Sequence, residues 1–502
     1  MLRELPSNSE FVNEVIRRVY HPNLGEDSLR NCIDSNPITT DREGIRTLSA
    51  SIEDSALGDS GKGHLAQELN REMAEDHPDG VVFSLRYNGT ANAGHEVMVG
   101  GEKIAMHQLP VAVTQEKATA IMGKGMLVHP SDLAAEIRYV SGKLGGALAG
   151  NLIIDANAVV TTDVHRAFEE IVNRRLGVGK GATGSGVAEG YASYYGKRAL
   201  FVRDLISDDW EEKFRRHYKF YENLLKGLRE DIELLNVNGL ANDGLRKKHI
   251  VGSENEFIDN LCTARDEIKN YVSDVYDLLS EVWRDQKIPI TFEGAQGGAL
   301  DPYHGVYPDV TASRPLARVG IPDATEGIVM PEEIAFPVSV VKVPYMSSVG
   351  ERVHPYNLPP DQVDLYRREN DEYGRSTGRP RGIYPLDIPL MRYIRRVAGY
   401  RYLALTHLDS ARPDIPIVVV TSYVDKETGE EIPYRPYQWN WDRVKGITVE
   451  LPSWDGKAVE SVKKPCDLPE ETKLFIAFLS RVLAPVAIAT NGPRCGQMIS
   501  WI

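Results

Sequence analysis

The chain has 502 residues, 42% hydrophobic and 26% charged, which is long enough to bury a large core without disulfide staples. Its 58 basic and 72 acidic side chains leave a formal net charge of −14, which excludes a generic nucleic-acid-binding surface but not a local basic pocket for phosphates. Four scattered cysteines (Cys32, Cys262, Cys466, Cys495) lack metal-ligand spacing and read as free thiols of a reducing cytoplasm, and there is no apolar run of the ~18 residues that a membrane span needs.

Residues 1–48 are polar, without an apolar signal core, and read as an N-terminal extension ahead of a catalytic domain over 49–502. The first motif is Gly58-Asp59-Ser60-Gly61-Lys62-Gly63. Leu65, Leu69 and Met73 follow at helical spacing, so the segment opens a helix. Backbone N–H groups in such a turn can cradle an anion, Lys62 can pair with phosphate, and Asp59 can bind Mg²⁺ or act as a base. The spacing is not that of the G-x-x-x-x-G-K-[ST] loop, and taken alone the segment is also an ordinary tight turn. A buried strand, VVFSLRYNG from Gly80, then leads into Asn88-Gly89-Thr90-Ala91-Asn92-Ala93-Gly94-His95-Glu96, where His95 is a candidate general acid or a structural histidine.

Ala182-Thr183-Gly184-Ser185-Gly186, followed by Lys197 and Arg198, suits a phosphate or a plain flexible loop. Amphipathic helices are expected over 208–236 and over 254–285, the latter with Leu261, Ile268, Val272, Val275, Leu279 and Val282 on one stripe. Short apolar runs near 290, 338, 404, 418 and 487 read as strands, several ending in Gly, Asp or Asn as functional loops begin. Strands alternating with helices argue for a mainly parallel α/β sheet. The first of these runs ends in Phe292-Glu293-Gly294-Ala295-Gln296-Gly297, with Thr311 downstream, and the Gln296 amide can read a base edge. Residues 350–381 read as a mobile surface loop, closing on Ser376-Thr377-Gly378-Arg379-Pro380-Arg381, whose arginines fit a carboxylate. His407 and Asp409 end the run near 404, where an aspartate can accept from guanine or cap a helix, and Gly492-Pro493 closes the last.

Together and in this order, these segments resemble the adenylosuccinate synthetase family from about Ser49 to the C-terminus. The resemblance implies a single large α/β domain, P-loop-related, with a central, mainly parallel sheet flanked by helices. It implies a GTP-dependent ligase that joins L-aspartate to C6 of a purine 5′-monophosphate through a 6-phosphoryl intermediate, with one Mg²⁺. It also implies a homodimer with a shared active site. By resemblance, Asp59 is the base and a Mg²⁺ ligand, His95 the acid, and the Gly94 carbonyl the second Mg²⁺ ligand. Gln296 completes the catalytic group by reading the purine. Ser60, Lys62, Asn92, Thr183, Thr311, Arg379 and the partner-supplied Lys197 fall on nucleotide contacts, and Thr377, Arg379 and Arg381 on aspartate contacts. Gly58, Gly61, Lys62, Gly63, Gly94, His95, Arg381, His407, Asp409, Gly492 and Pro493 fall on the GTP site. The chain departs from the family pattern at Ser60 (usually Glu), Glu96 (Thr), Ala182 (Thr), Ser185 (Arg), Lys197 (Arg) and His407 (Lys). The acceptor is read as IMP. Ser60, small and neutral beside the base, keeps dGMP open as the alternative, for 2-aminoadenine DNA synthesis.

Overall fold

The short apolar runs of the sequence lie side by side in a ten-stranded sheet. The computed structural model describes residues 46–501, apart from 178–182, 286, 351, 375–377, 379 and 437. In chain order the strands are β1 (Arg46–Asp54), β2 (Val82–Arg86), β3 (Ala118–Met122), β4 (Asn151–Asp155), β5 (Val272–Ser273), β6 (Ile290–Glu293), β7 (Ile334–Lys342), β8 (Tyr402–Thr406), β9 (Val486–Thr490) and β10 (Met498–Ser500). Their order across the sheet is β5-β4-β3-β2-β6-β1-β7-β8-β9-β10, parallel throughout except for the edge pair β9–β10. Residues of β6 and β9 are buried along their whole length, as strands covered on both faces must be.

The helices used below are α1 (Lys62–Glu75), α2 (Pro130–Lys143), α3 (Val187–Tyr195), α4 (Trp210–Gly227), α5 (Glu254–Ile268), α6 (Tyr276–Arg284) and α7 (Pro360–Glu369). Helix α1 buries Leu65, Ala66 and Leu69 in the core shared with β1 and β2, which fixes its N-terminus beside the end of β1. From β1 the chain builds outward through β2 to β5. It then returns to place β6 between β1 and β2, and lays β7 to β9 on the other side. The order therefore reverses at β1, and the crevice outside the carboxyl ends of β1 and its neighbours is where such sheets bind ligands.

Four expectations need correction. The helix over 254–285 is two helices, α5 and α6, because Val272–Ser273 leaves the helical path to pair with Ile154 and Asp155 at the sheet edge. There the β-branched Val272 gains ladder hydrogen bonds that a helix surface does not offer. The run near 418 (Ile417–Asp425) pairs with Leu386–Asp387, Glu431–Ile432 and Val444–Leu451 in a separate sheet rather than joining the central one. The loop of 350–381 contains α7, which buries Tyr366. Helix α4 stops at Gly227, short of the expected 236.

Candidate active site

Strand β1 ends at Asp54, whose Oδ1 accepts the Ala56 N–H at 2.6 Å and the Gly58 N–H at 3.4 Å, curling residues 57–63 over the sheet edge. Gly61 caps α1 at φ +79°, a left-handed conformation that glycine adopts without strain. No side chain caps this helix and no acidic residue sits in its first turn, so its first N–H groups are open to an anion. Lys62 is buried in that turn, 3.5 Å from Asp54 Oδ2. Gly63 leaves no room for a side chain, since a Cβ there would meet the Cβ of His95 at 2.9 Å. The helix start and His95 are therefore held in contact.

His95 is seated by Glu293, the last residue of β6, which is fully buried. The His95 Nδ1 and Glu293 Oε1 form a short hydrogen bond, and Glu293 Oε2 accepts the Val111 N–H at 3.1 Å. Burial pushes the His95 pKa down against the pull of Glu293. Burial alone would raise the Glu293 carboxyl, but His95 and Arg86 outweigh it and hold it below its ordinary range. A carboxylate only accepts, so Nδ1 carries the proton and Nε2 is the nitrogen left for a ligand.

Gln296, three residues beyond β6, adopts φ +61°. Its Oε1 accepts from Ser313 Oγ at 2.8 Å and from Asn88 Nδ2 at 3.4 Å, while its Nε2 is buried with no partner. Thr311 does not line the cavity but lies behind Gln296, its Oγ1 3.3 Å from Ser313 Oγ. Asn92 Oδ1 accepts the Thr90 N–H at 3.1 Å. The hydroxyls of Ser60 and Thr90 are buried with no partner among the described residues.

The opposite wall is a charge network. Arg381 Nε lies 2.9 Å from Asp59 Oδ2, and its Nη1 donates to Glu372 Oε2 at 2.9 Å. Glu372 Oε1 takes the Lys342 ammonium and the Tyr345 hydroxyl, the latter at 2.7 Å. Lys342, the last residue of β7, also reaches the Asp59 carbonyl at 3.3 Å. Burial would raise the Glu372 carboxyl, yet Lys342 and Arg381 hold it down at about 2. At the end of β8, Thr406 donates to the Ser60 carbonyl at 2.7 Å, so it accepts from His407 Nδ1 at 3.0 Å. Burial, with the Lys342 charge nearby, pushes His407 down to about 3 and keeps it neutral. Burial raises the Asp409 carboxyl.

One cavity of about 460 Å³ lies at the carboxyl ends of the strands. Gly58, Asp59, Ser60, Gly61, Lys62, Gly63, Asn92, Gly94, His95, Gln296, Arg381, His407, Asp409, Gly492 and Pro493 all line it. Thr183 lies away from its lining and donates to Ser185 Oγ at 3.0 Å. Lys197 is exposed after α3. Thr377 and Arg379 lie outside the described residues. Sequence reading gave no role to Glu293, Lys342 or Glu372. Glu293 had a signal, an acidic residue closing a buried strand beside the motif. Glu372 had none, because its partners come from distant elements.

Among the described residues no group of three or more His, Cys, Asp or Glu side chains could cage a metal. Asp59 and the Gly94 carbonyl offer hard oxygen donors on the same cavity, which fits a Mg²⁺ that keeps waters and substrate phosphates as its other ligands. No helix among the described residues is long and apolar enough to cross a membrane.

The family model for adenylosuccinate synthetase matches residues 54–499. The adenylosuccinate synthetase of Halothermothrix orenii is 33% identical over 442 residues, covering 87% of this chain and 94% of its own. That of Koribacter versatilis is 31% identical over 451 residues, covering 88% and 93%. Among solved structures, the fully ligated adenylosuccinate synthetase of Plasmodium falciparum superposes with a TM-score of 0.77 at 22% identity, over 90% of this chain and 99% of that one. A cyanophage S-2L succinoaminodeoxyadenylate synthetase, bound to dGMP and to dATP as an energy donor, gives 0.53 at 18% identity over 91% and 95%.

Proposed function

The chain belongs to the adenylosuccinate synthetase family, and from that premise we propose that it joins L-aspartate to C6 of IMP, using GTP and releasing GDP and phosphate. GTP-dependent ligation of aspartate to a purine nucleotide is the activity of the family. The single observation that carries the assignment to this site is that Asp59, His95 and Gln296 converge on one cavity, two of them held by ionised partners.

A purine 6-oxo group is a poor leaving group, so the reaction must first activate it. Asp59 takes the N1 proton, and the negative charge moves to O6. Arg381 Nε, 2.9 Å from Asp59 Oδ2, holds this carboxylate in place. O6 attacks the γ-phosphorus of GTP, the bond to the β–γ bridging oxygen breaks, and GDP leaves. His95 faces the transferring phosphoryl group through Nε2. Incoming phosphate charge opposes the burial that lowers its pKa, so Nε2 takes up a proton from solvent as the nucleotide binds. Glu293 stabilises the imidazolium, and Nε2 donates that proton in a hydrogen bond to an oxygen of the transferring phosphoryl group. The amine of aspartate next attacks C6, phosphate leaves with the former O6, and the nitrogen sheds a proton. Lys62 and the open N-terminus of α1 hold the phosphates. Mg²⁺, held by Asp59 and Gly94, supplies charge neutralisation to the triphosphate when bound.

Gln296 Nε2, buried and unpartnered, reads the purine edge. Asn92 and Thr183 take the 5′-phosphate, with Thr311 holding Gln296 through Ser313. Thr377, Arg379 and Arg381 take the aspartate carboxylates. Asp409 selects guanine in GTP, with His407 and Gly492-Pro493 as the walls of its pocket. The enzyme acts in the cytoplasm as a homodimer in which Lys197 of each subunit reaches the other's site.

A second acceptor, dGMP, is favoured by one observation. The Ser60 hydroxyl next to the base is buried with no partner, which leaves space and an acceptor for a 2-amino group. Purified protein with GTP, Mg²⁺ and aspartate, assayed against IMP and dGMP by phosphate release, decides between them. Turnover of dGMP but not IMP sinks the first reading, and silence with both sinks the ligase reading.

A further inference from the structure

We propose that Arg246 is a ligand of the acceptor's 5′-phosphate, supplied by the same chain that carries the base and acid. The proposal rests on the purine-monophosphate reading above and adds a residue to it. Arg246 opens the second strand of an antiparallel hairpin, Asn236–Leu240 with Arg246–Ile250, and sits opposite Leu240. Two contacts lock this hairpin to the body of the protein. The Leu240 N–H donates to Asp132 Oδ1 at 3.0 Å, and His249 Nε2 lies 2.9 Å from Asp163 Oδ2.

The hairpin bridges the two loops to which the phosphate is assigned. On one side Arg246 Nη2 donates to the carbonyl of Ala91, the residue before Asn92. On the other, Asn238 Nδ2 stands 3.7 Å from where a Cβ of Gly184 would be, against the loop that carries Thr183. The remaining donors of the guanidinium, Nε and Nη1, are buried with no partner. Its nearest carboxylates are already engaged. Asp132 takes Arg166 and the Leu240 N–H, and Glu136 accepts the backbone N–H groups of His107, Gln108 and Leu109. Among the described residues Arg246 therefore holds a buried cation without an ion pair, a state that is unfavourable until an anion arrives.

Within the same chain the alternatives for meeting that anion are weak. The N-terminus of α3, which follows the Thr183 loop, is occupied by Glu169, whose Oε2 accepts the Ala188 N–H at 2.9 Å and the Glu189 N–H at 3.4 Å. Asn92 and Thr183 are neutral. Burial lowers the Arg246 pKa to about 10, which still leaves it charged at neutral pH. Nε and Nη1 each offer a free N–H to a phosphate oxygen.

The test uses the full chain and two substitutions, Arg246→Ala and Arg246→Lys. With the nucleotide that turns over, Arg246→Ala raises its KM roughly 10- to 100-fold, the size of losing hydrogen bonds to a charged group, while the KM values for GTP and aspartate hold. Arg246→Lys recovers part of the loss, because a point charge replaces the fork. Direct titration with ribose 5-phosphate and 2-deoxyribose 5-phosphate needs no purine and no turnover. Wild-type protein binds at least one of them, and Arg246→Ala loses that binding while its thermal midpoint stays within a few degrees. Equal binding by the variant, no binding by wild type, or a KM rise shared by all three substrates overturns the assignment. If wild type binds a sugar phosphate through Arg246 yet turns over neither IMP nor dGMP, the assignment stands and only the reading of the reaction falls.

Discussion

On the β7–β8 side of the site, Lys342, Glu372, Arg381 and Asp59 compensate one another's charge, whereas on the β2–β6 side Gln296 Nε2 in the cavity lining, and Thr90 Oγ1 and two nitrogens of Arg246 outside it, are buried with no partner among the described residues. The difference follows from what each wall must do. Groups that keep a fixed ionisation through a catalytic cycle need permanent partners, because a lone buried charge shifts its pKa and neutralises. Groups that read a substrate gain discrimination by lacking a partner until the right one arrives, since a wrong ligand leaves them unsatisfied. His95 with Glu293 stands between the walls and belongs with the first kind.

The largest effect is expected at the base. Asp59→Ala should lower the turnover number by about 10³-fold or more, as loss of a positioned general base does, while fluorescence titration still detects GTP binding. Wild-type rates in that variant would remove Asp59 from the mechanism. Glu293→Gln keeps the size of the side chain but removes the charge that steadies the imidazolium. Turnover should fall roughly 10²- to 10⁴-fold with little change in the aspartate KM, and steady-state kinetics reads both. An unchanged rate would show that the short hydrogen bond is structural only.

Glu372→Gln tests whether the compensated wall is held together by charge. It leaves Lys342 and Arg381 buried without their shared carboxylate, so urea denaturation near pH 7 should show a loss of about 3–5 kcal/mol. The sign with pH is fixed by its pKa, held at about 2 against an ordinary 4.5. The stabilisation is complete above the ordinary value and is lost as pH falls toward 2, so wild type and variant should converge in acid. Parallel stability curves down to pH 3 would contradict this.

The smallest effect lies beneath the cavity. Burial raises the Glu53 carboxyl on β1 to about 8, although its Oε2 accepts the Ala317 N–H at 2.9 Å. Between the ordinary carboxylate value and about 8 the unfolded chain gives up this proton while the folded one keeps it, so stability falls as pH rises through that window. Glu53→Gln should flatten the slope and gain of order a few kcal/mol at pH 8, with no gain at pH 4. Thermal midpoints at the two pH values measure it.

Much of this was legible in the residues. Apolar runs of strand length, each ending in a small or polar residue, mark β2, β6, β7, β8 and β9. Gly58 to Gly63 reads as a turn at a helix start because glycine spacing and helical periodicity meet there. The break between α5 and α6 was not legible, because Leu261 to Val282 keep a continuous helical stripe. Only pairing with β4 makes extended backbone preferable at Val272. The pairing of Glu293 with His95 joins residues 198 apart in sequence, and no local pattern encodes such a contact.

By itself the sequence determined the chemistry on offer: a carboxylate at Asp59, an imidazole at His95, cations at Lys62 and Arg381, an amide at Gln296, and an alternation of elements that forces a parallel sheet. The tertiary structure alone decided which groups are free to act. It closed Glu372 between two cations, committed Asp132 and Glu136 elsewhere, and brought Arg246 beside Ala91 with no counter-charge among the described residues. The physical reason is that residue type fixes which proton or charge a group can carry. Whether that charge is satisfied depends on burial and on partners that arrive from distant parts of the chain.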